Sequence, residues 1–112
     1  MTLFSPELKK GSLEMLILSL VEQRPRHGYE IGKLIEAKSH GRLTFALPTL
    51  YPALLRLETR GWVKGRWVEK AGERERCFYS LTPAGRRVLA ERRDTWRIYV
   101  AAVNEVMGSG DA

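Results

Sequence analysis

The sequence has little of what a reactive or membrane-spanning protein needs. Its 112 residues include a single cysteine, Cys77, which excludes an intramolecular disulfide and a cysteine-rich metal site. That thiol lies in "RCFYSL", which alternates as a strand does, and reads as a half-buried packing residue. The two histidines, His27 and His40, have no partners at metal-ligand spacing, and no carboxylate–histidine pairing suggests catalysis. The glycines at 28, 32, 41, 61, 65 and 72 match no phosphate-loop or dinucleotide fingerprint. No enzyme, metal or cofactor is expected. The longest apolar run, "LEMLILSLV", is shorter than the ~20 residues a bilayer span requires. No basic segment with a small-residue cleavage site marks export, so a cytoplasmic protein without membrane contact is expected. Internal repeats, low-complexity tracts and clear linkers are also missing.

What is present is a globular balance of 44% hydrophobic and 29% charged residues, with a formal net charge of +6. A positive excess of this size suits a polyanion, either nucleic acid or an acidic surface, although many small basic proteins bind neither. A chain of this length makes one domain, with room for one appended element, and buries roughly 65% of its unfolded surface. A partner subunit would add stability.

Periodicity places four helices and a hairpin. Ser5-Pro6-Glu7 has the form of a helix opening, and Ser12 could cap a second start after Gly11. Leu13, Leu16, Ile17, Leu20 and Val21 then define one helical face, while Leu8, Met15 and Leu18 point off it, as on a helix buried on two sides. Pro25 and Gly28 interrupt the pattern, and a second helix runs from about Tyr29 to Lys38. Leu43 to Ala46 reads as a short extended piece. A third helix spans about Pro48 to Arg60. "WVKGRWVEK" and "ERCFYSLT" form two strands joined across "AGER". Thr82 and Pro83 open a last helix that nothing breaks before Gly108, about 25 residues or roughly 37 Å long. The fold class is α+β, mostly α: a winged helix-turn-helix over residues 1–82, then a long C-terminal dimerisation helix and short tail over 83–112.

"LPTLYPALLRLETRGWV" carries the functional expectation. Leu50, Leu54 and Leu57 form the inner face, leaving Thr49, Pro52, Arg56 and Thr59 outside, with Tyr51 and Leu55 between. Two prolines in the first turn make a stiff N-terminus whose free amides and dipole favour phosphate. Arg56 lies one turn along, within reach of phosphate or a guanine edge. On the other reading Thr49 only caps, Tyr51 packs and the arginines are a solvated face.

These residues, with "GSLEMLILSL", "HGYEI", "TLYPALLRLETRGWV" and "RCFYSLTPAGRRVL", resemble the PadR family of bacterial transcription regulators. The four motifs span about Gly11 to Met107 in order, and the single terminal helix is similar to that of the smaller PadR subgroup. The resemblance implies a homodimeric regulator, a repressor, whose last helix crosses onto its partner and whose recognition helix and wing engage a near-palindromic operator on double-stranded DNA. It implies that Tyr29 and Tyr51 contact phosphate, with Thr49 at the recognition-helix entry. One departure is Pro48, where the family often has glycine.

The expected DNA-binding set is therefore Tyr29, Lys33, Thr49, Tyr51, Arg56, Lys64, Arg66, Arg74 and Arg76, with Arg74 and Arg76 near the wing tip. The alternative for the wing is a solubility face with cross-strand pairs. In the last helix Leu89, Trp96, Tyr99, Val103 and Val106 follow a spacing of alternating three and four that is interrupted at Arg92, and with Val100 they form a seam for a second subunit, set against Leu8, Met15 and Leu18. Trp96, with Met15, is also a candidate site for a small aromatic effector, by resemblance to regulators that hold flat compounds between paired tryptophans; plain interface packing is the alternative. Two rivals remain: a winged-helix protein–protein module that never reads DNA, and a small-molecule carrier using the Trp96 seam.

Overall fold

The computed structural model describes Phe4, Lys9 and residues 11–108. The expected helix opening at Ser5–Glu7, and Leu8, lie outside the described residues. In chain order the elements are α1 (Ser12–Gln23), β1 (Arg26–His27), α2 (Gly28–Lys38), α3 (Leu47–Thr59), β2 (Val63–Val68), β3 (Arg76–Leu81) and α4 (Pro83–Met107). The antiparallel sheet has the order β1-β3-β2, so β3 is central. This is the expected α+β winged helix, with α2 and α3 as the helix-turn-helix and the β2–β3 hairpin as the wing.

The core lies where α1, α2, α3, the sheet and the start of α4 meet. Ile17, Leu18, Ile31, Leu50, Leu54, Leu57, Val63 and Leu89 are almost wholly buried in it. Each such side chain contributes about 1.5–3 kcal/mol of transfer free energy. Two expectations are corrected here. Leu18 and Leu89 are not free for a second subunit, because both are 0% exposed within their own chain. The face of α1 that packs inward is wide enough to include Leu18, and α4 still belongs to the core at Leu89. Ser12 is not the cap of α1 either: Gly11 holds that position with φ 88°, and the Ser12 hydroxyl donates to the Lys9 carbonyl at 2.7 Å.

Local chemistry explains the joints. His27 caps α2 by accepting from the Glu30 amide at 3.2 Å. Helix α3 ends at Gly61 (φ 79°), and the Trp62 amide closes back on the Leu57 carbonyl at 3.0 Å. This is the left-handed helix stop for which glycine is suited. The Trp62 carbonyl then accepts from the Thr82 amide at 3.1 Å, and the Thr82 side chain caps α4 through the Gly85 amide at 3.0 Å. A Cβ on Gly85 would stand 2.0 Å from the Trp62 carbonyl oxygen, so α4 is seated backbone against backbone. Past Leu89 the helix leaves the core, and Trp96, Ile98, Tyr99, Val106 and Met107 are exposed.

Strand β1 has no counterpart in the sequence reading. It is two residues long, and its Arg26 is only 7% exposed. That guanidinium donates to the Leu20 carbonyl at 2.8 Å, to Gln23 at 2.8 Å and to Glu30 at 3.0 Å. A buried charge is tolerated when its donors are met in this way. Arg26 thereby ties the end of α1 to the start of α2.

Candidate nucleic-acid interface

A cleft of about 520 Å³ opens between the α2 N-terminus, the start of α3 and the wing, lined by Tyr29, Leu47, Tyr51, Trp67, Arg74, Arg76 and Cys77 among others. Tyr51 reaches across the α2 N-terminus because Gly28 has no side chain; a Cβ there would stand 2.7 Å from the ring. The ring remains 47% exposed, and Tyr29 beside it 48%. Cations surround the pair. The Lys33 ammonium lies 5.5 Å from the centre of the Tyr29 ring and the Arg76 guanidinium 6.0 Å. Two phenol hydroxyls within a cationic rim are suited to phosphate oxygens, which accept from both kinds of donor.

Arg76 also meets His27 Nδ1 at 3.3 Å. The Glu30 amide already donates to that nitrogen, so the ring serves as a neutral acceptor. Burial and the neighbouring Arg76 charge hold its pKa below the usual histidine value; Glu30 opposes them and Arg24 adds to them. Burial also raises the Tyr79 hydroxyl far above its ordinary range, with Cys77 and Glu58 adding to the shift. The half-buried Cys77 is the packing thiol expected.

Four sequence-predicted features are placed elsewhere. Arg56 does not join the cleft: its Nε donates to Glu14 Oε2 on α1 at 3.3 Å. Arg60 and Arg92 reach the other oxygen of Glu14 at 2.9 and 3.2 Å. Burial pushes the Glu14 pKa up, but hydrogen bonds from Arg56 and Arg92 and the charges of Arg60 and Arg92 outweigh it and hold the carboxylate below its usual range. Lys64 and Arg66 do not line this cleft. They pair across the ladder with Ser80 and Phe78, whereas Val63, Gly65 and Trp67 share the face towards α3. The free amides expected at the mouth of α3 are largely absent as well. Pro48 has no N–H, and the Thr49 and Leu50 amides both donate to the Ala46 carbonyl at 2.9 and 3.0 Å. Thr49 is exposed but stands on the Arg56 flank, away from Tyr51.

Trp67 is the residue that sequence reasoning passed over. It is 66% exposed on the wing, on the face turned to the cleft. Alternation in "VKGRWV" gives the signal, since Trp67 falls in phase with Val63, which packs inward.

A second opening, about 1,040 Å³, lies between α1 and α4 and is lined by Glu14, Met15, Arg56, Arg92, Trp96 and Tyr99 among others. The Trp96 and Tyr99 rings are 6.4 Å apart. The structure therefore brings Met15 and Trp96 together, as the effector expectation requires of its residues.

The sequence pattern of the transcriptional regulator PadR-like family matches residues 17–91. The chain belongs to the PadR family. PadR members are DNA-binding transcriptional regulators and not enzymes, which fixes the general role of this fold. A transcriptional regulator from Clostridium thermocellum is 29% identical, with a TM-score of 0.84 over 92% of this chain and 97% of that one. A PadR family regulator from Eggerthella lenta is 33% identical, with a TM-score of 0.79 over 93% and 88%. A 37.1 kDa protein of a Streptomyces fradiae transposon is 38% identical over 101 residues; they cover 86% of this chain and 28% of that protein. Among the described residues no helix is long and apolar enough to cross a membrane.

Proposed function

We propose that two copies of this PadR chain clasp through α4 and repress transcription by holding a near-palindromic operator. The observation that carries the DNA contact is the cleft in which Tyr29 and Tyr51 sit between Lys33, Arg74 and Arg76. In this reading α3 enters the major groove, Arg74 and Arg76 on the wing meet phosphates beside it, and Thr49 stands at the helix entry. Residues 1–82 carry the DNA contacts and 83–112 the two-fold, with the first turns of α4 packed into the core of the DNA-binding part. The exposed Trp96, Tyr99 and Val106, with half-buried Met15, Val100 and Val103, would be the covered surface. Half-sites would lie about 34 Å apart. A regulator of DNA would work in the cytoplasm of a bacterial cell.

The test is binding of duplex DNA from upstream of its own gene, by fluorescence anisotropy. The wild-type dimer binds with steep salt dependence, and Tyr51→Ala weakens binding at least tenfold while sedimenting as a dimer. Unchanged binding by Tyr51→Ala overturns the assignment of this cleft.

The opening between α1 and α4 favours one addition. With Trp96 and Tyr99 exposed above Met15, a planar aromatic effector would stack there and release the operator. Loss of DNA binding on adding such a compound, abolished in Trp96→Ala, is the expected result.

A further inference from the structure

The outward face of α3 is unusual for a helix that reads DNA. Its most outward ridge, at i, i+4, i+7 and i+11, is Pro48, Pro52, Leu55 and Thr59, opposite the buried Leu50, Ala53, Leu54 and Leu57. Leu55, at the centre of this ridge, is 62% exposed. The helix "LPTLYPALLRLET" contains no Asn, Gln or Lys, and its one arginine, Arg56, is drawn sideways onto Glu14. On the other flank Tyr51 faces the wing, and the Glu58 carboxylate accepts from the Gly65 amide at 3.1 Å.

The long polar side chains of the two flanks are thus turned away from base edges, Arg56 onto Glu14, Glu58 onto the wing and Tyr51 into the phosphate-suited cleft, and the ridge between them is apolar. In the major groove, guanine is read by Arg or Lys and adenine by Asn or Gln, whereas the apolar feature offered there is the C5-methyl group of thymine. We propose that this regulator reads its half-site through thymine methyl groups, packed against Leu55 and the Pro48–Pro52 edge. The inference rests on the proposed DNA-binding role of α3 and adds the class of sequence that α3 accepts.

The experiment starts from an operator recovered by in vitro selection with the full-length chain. Each dT of the half-site is replaced by dU, which removes only the methyl group, and the dissociation constant is measured by anisotropy. A buried methyl is worth about three- to fourfold, so replacement in both half-sites should weaken binding roughly tenfold at one to three positions. Leu55→Ala, at an exposed position, should keep the dimer and the fold but lose that dT-to-dU difference. A parallel series places 7-deaza-dG at each guanine, removing an acceptor that arginine would use. The proposal is overturned if no dU position changes affinity by twofold while 7-deaza-dG does. It is also overturned if Leu55→Ala retains the full methyl discrimination. A chain that selects no duplex at all overturns the DNA-binding reading beneath it, so the two failures are distinguishable.

Discussion

A few side chains in this protein have more than one duty, and substitution exposes which. Gly85 sets the approach of α4 to Trp62, where a methyl group would overlap a carbonyl oxygen. Gly85→Ala should cost about 2–4 kcal/mol, since backbone has to move, and lower the thermal midpoint by roughly 10 °C or more. Trp67 presents the opposite case, being exposed and free of core contacts among the buried set. Trp67→Ala should leave the thermal midpoint unchanged and weaken DNA binding several-fold with the salt slope preserved, because an indole releases no counterions. Arg74→Ala should instead reduce that slope by about 0.9. Glu14 gathers three arginines that are themselves about a third to a half exposed. Glu14→Gln should cost about 1–2 kcal/mol after allowance for solvent screening, measurable by urea titration. Since the Glu14 pKa is lowered by folding, its contribution is complete above the ordinary carboxylate range and declines as pH falls from there towards the lower folded value.

At the scale of the element, the helices and the hairpin were legible because each has both a period and punctuation. Pro83 after Thr82, glycine at 61 and alternation in "VKGRWV" each state a local rule that the structure obeys. The short β1 was not legible, for two residues cannot show alternation, and its pairing with Tyr79 and Phe78 is a tertiary event. Arg26 was opaque for the same reason: in sequence it punctuates a loop, and only the fold surrounds it with acceptors. The direction of Arg56 depended on Glu14, forty-two residues away, which no local pattern contains. Leu18 and Leu89 read as spare apolar residues because a helical wheel does not know how wide the buried face will be. The His27 cap gives a prediction at this scale. Its pKa is lowered by folding, so its contribution is complete above the unfolded value of about 6.5 and declines as pH falls below it. His27→Asn keeps a capping acceptor without titrating, and should flatten the pH dependence of the melting midpoint below that value.

For the whole molecule, the exposed half of α4 is the feature that isolation leaves unexplained. The described residues extend 56 Å along the longest axis, and beyond Leu89 the side chains of Trp96, Ile98, Tyr99, Val106 and Met107 on α4 are exposed among them. Sedimentation equilibrium should report a dimer at micromolar concentration, and Tyr99→Glu with Val103→Glu should report a monomer of unchanged helix content. That monomer should lose operator affinity by more than a hundredfold, since two weak half-site contacts would no longer be joined.

The seating of α4 on Trp62 has a mechanical corollary. A helix fixed backbone to backbone at its root, and unbroken for 25 residues, works as a crankshaft. One alanine spliced in after Glu91 would turn everything beyond it by about 100°, and four would bring it back to within about 40°. DNA binding should therefore oscillate with the number of inserted residues, vanishing at one or two and returning in part at four.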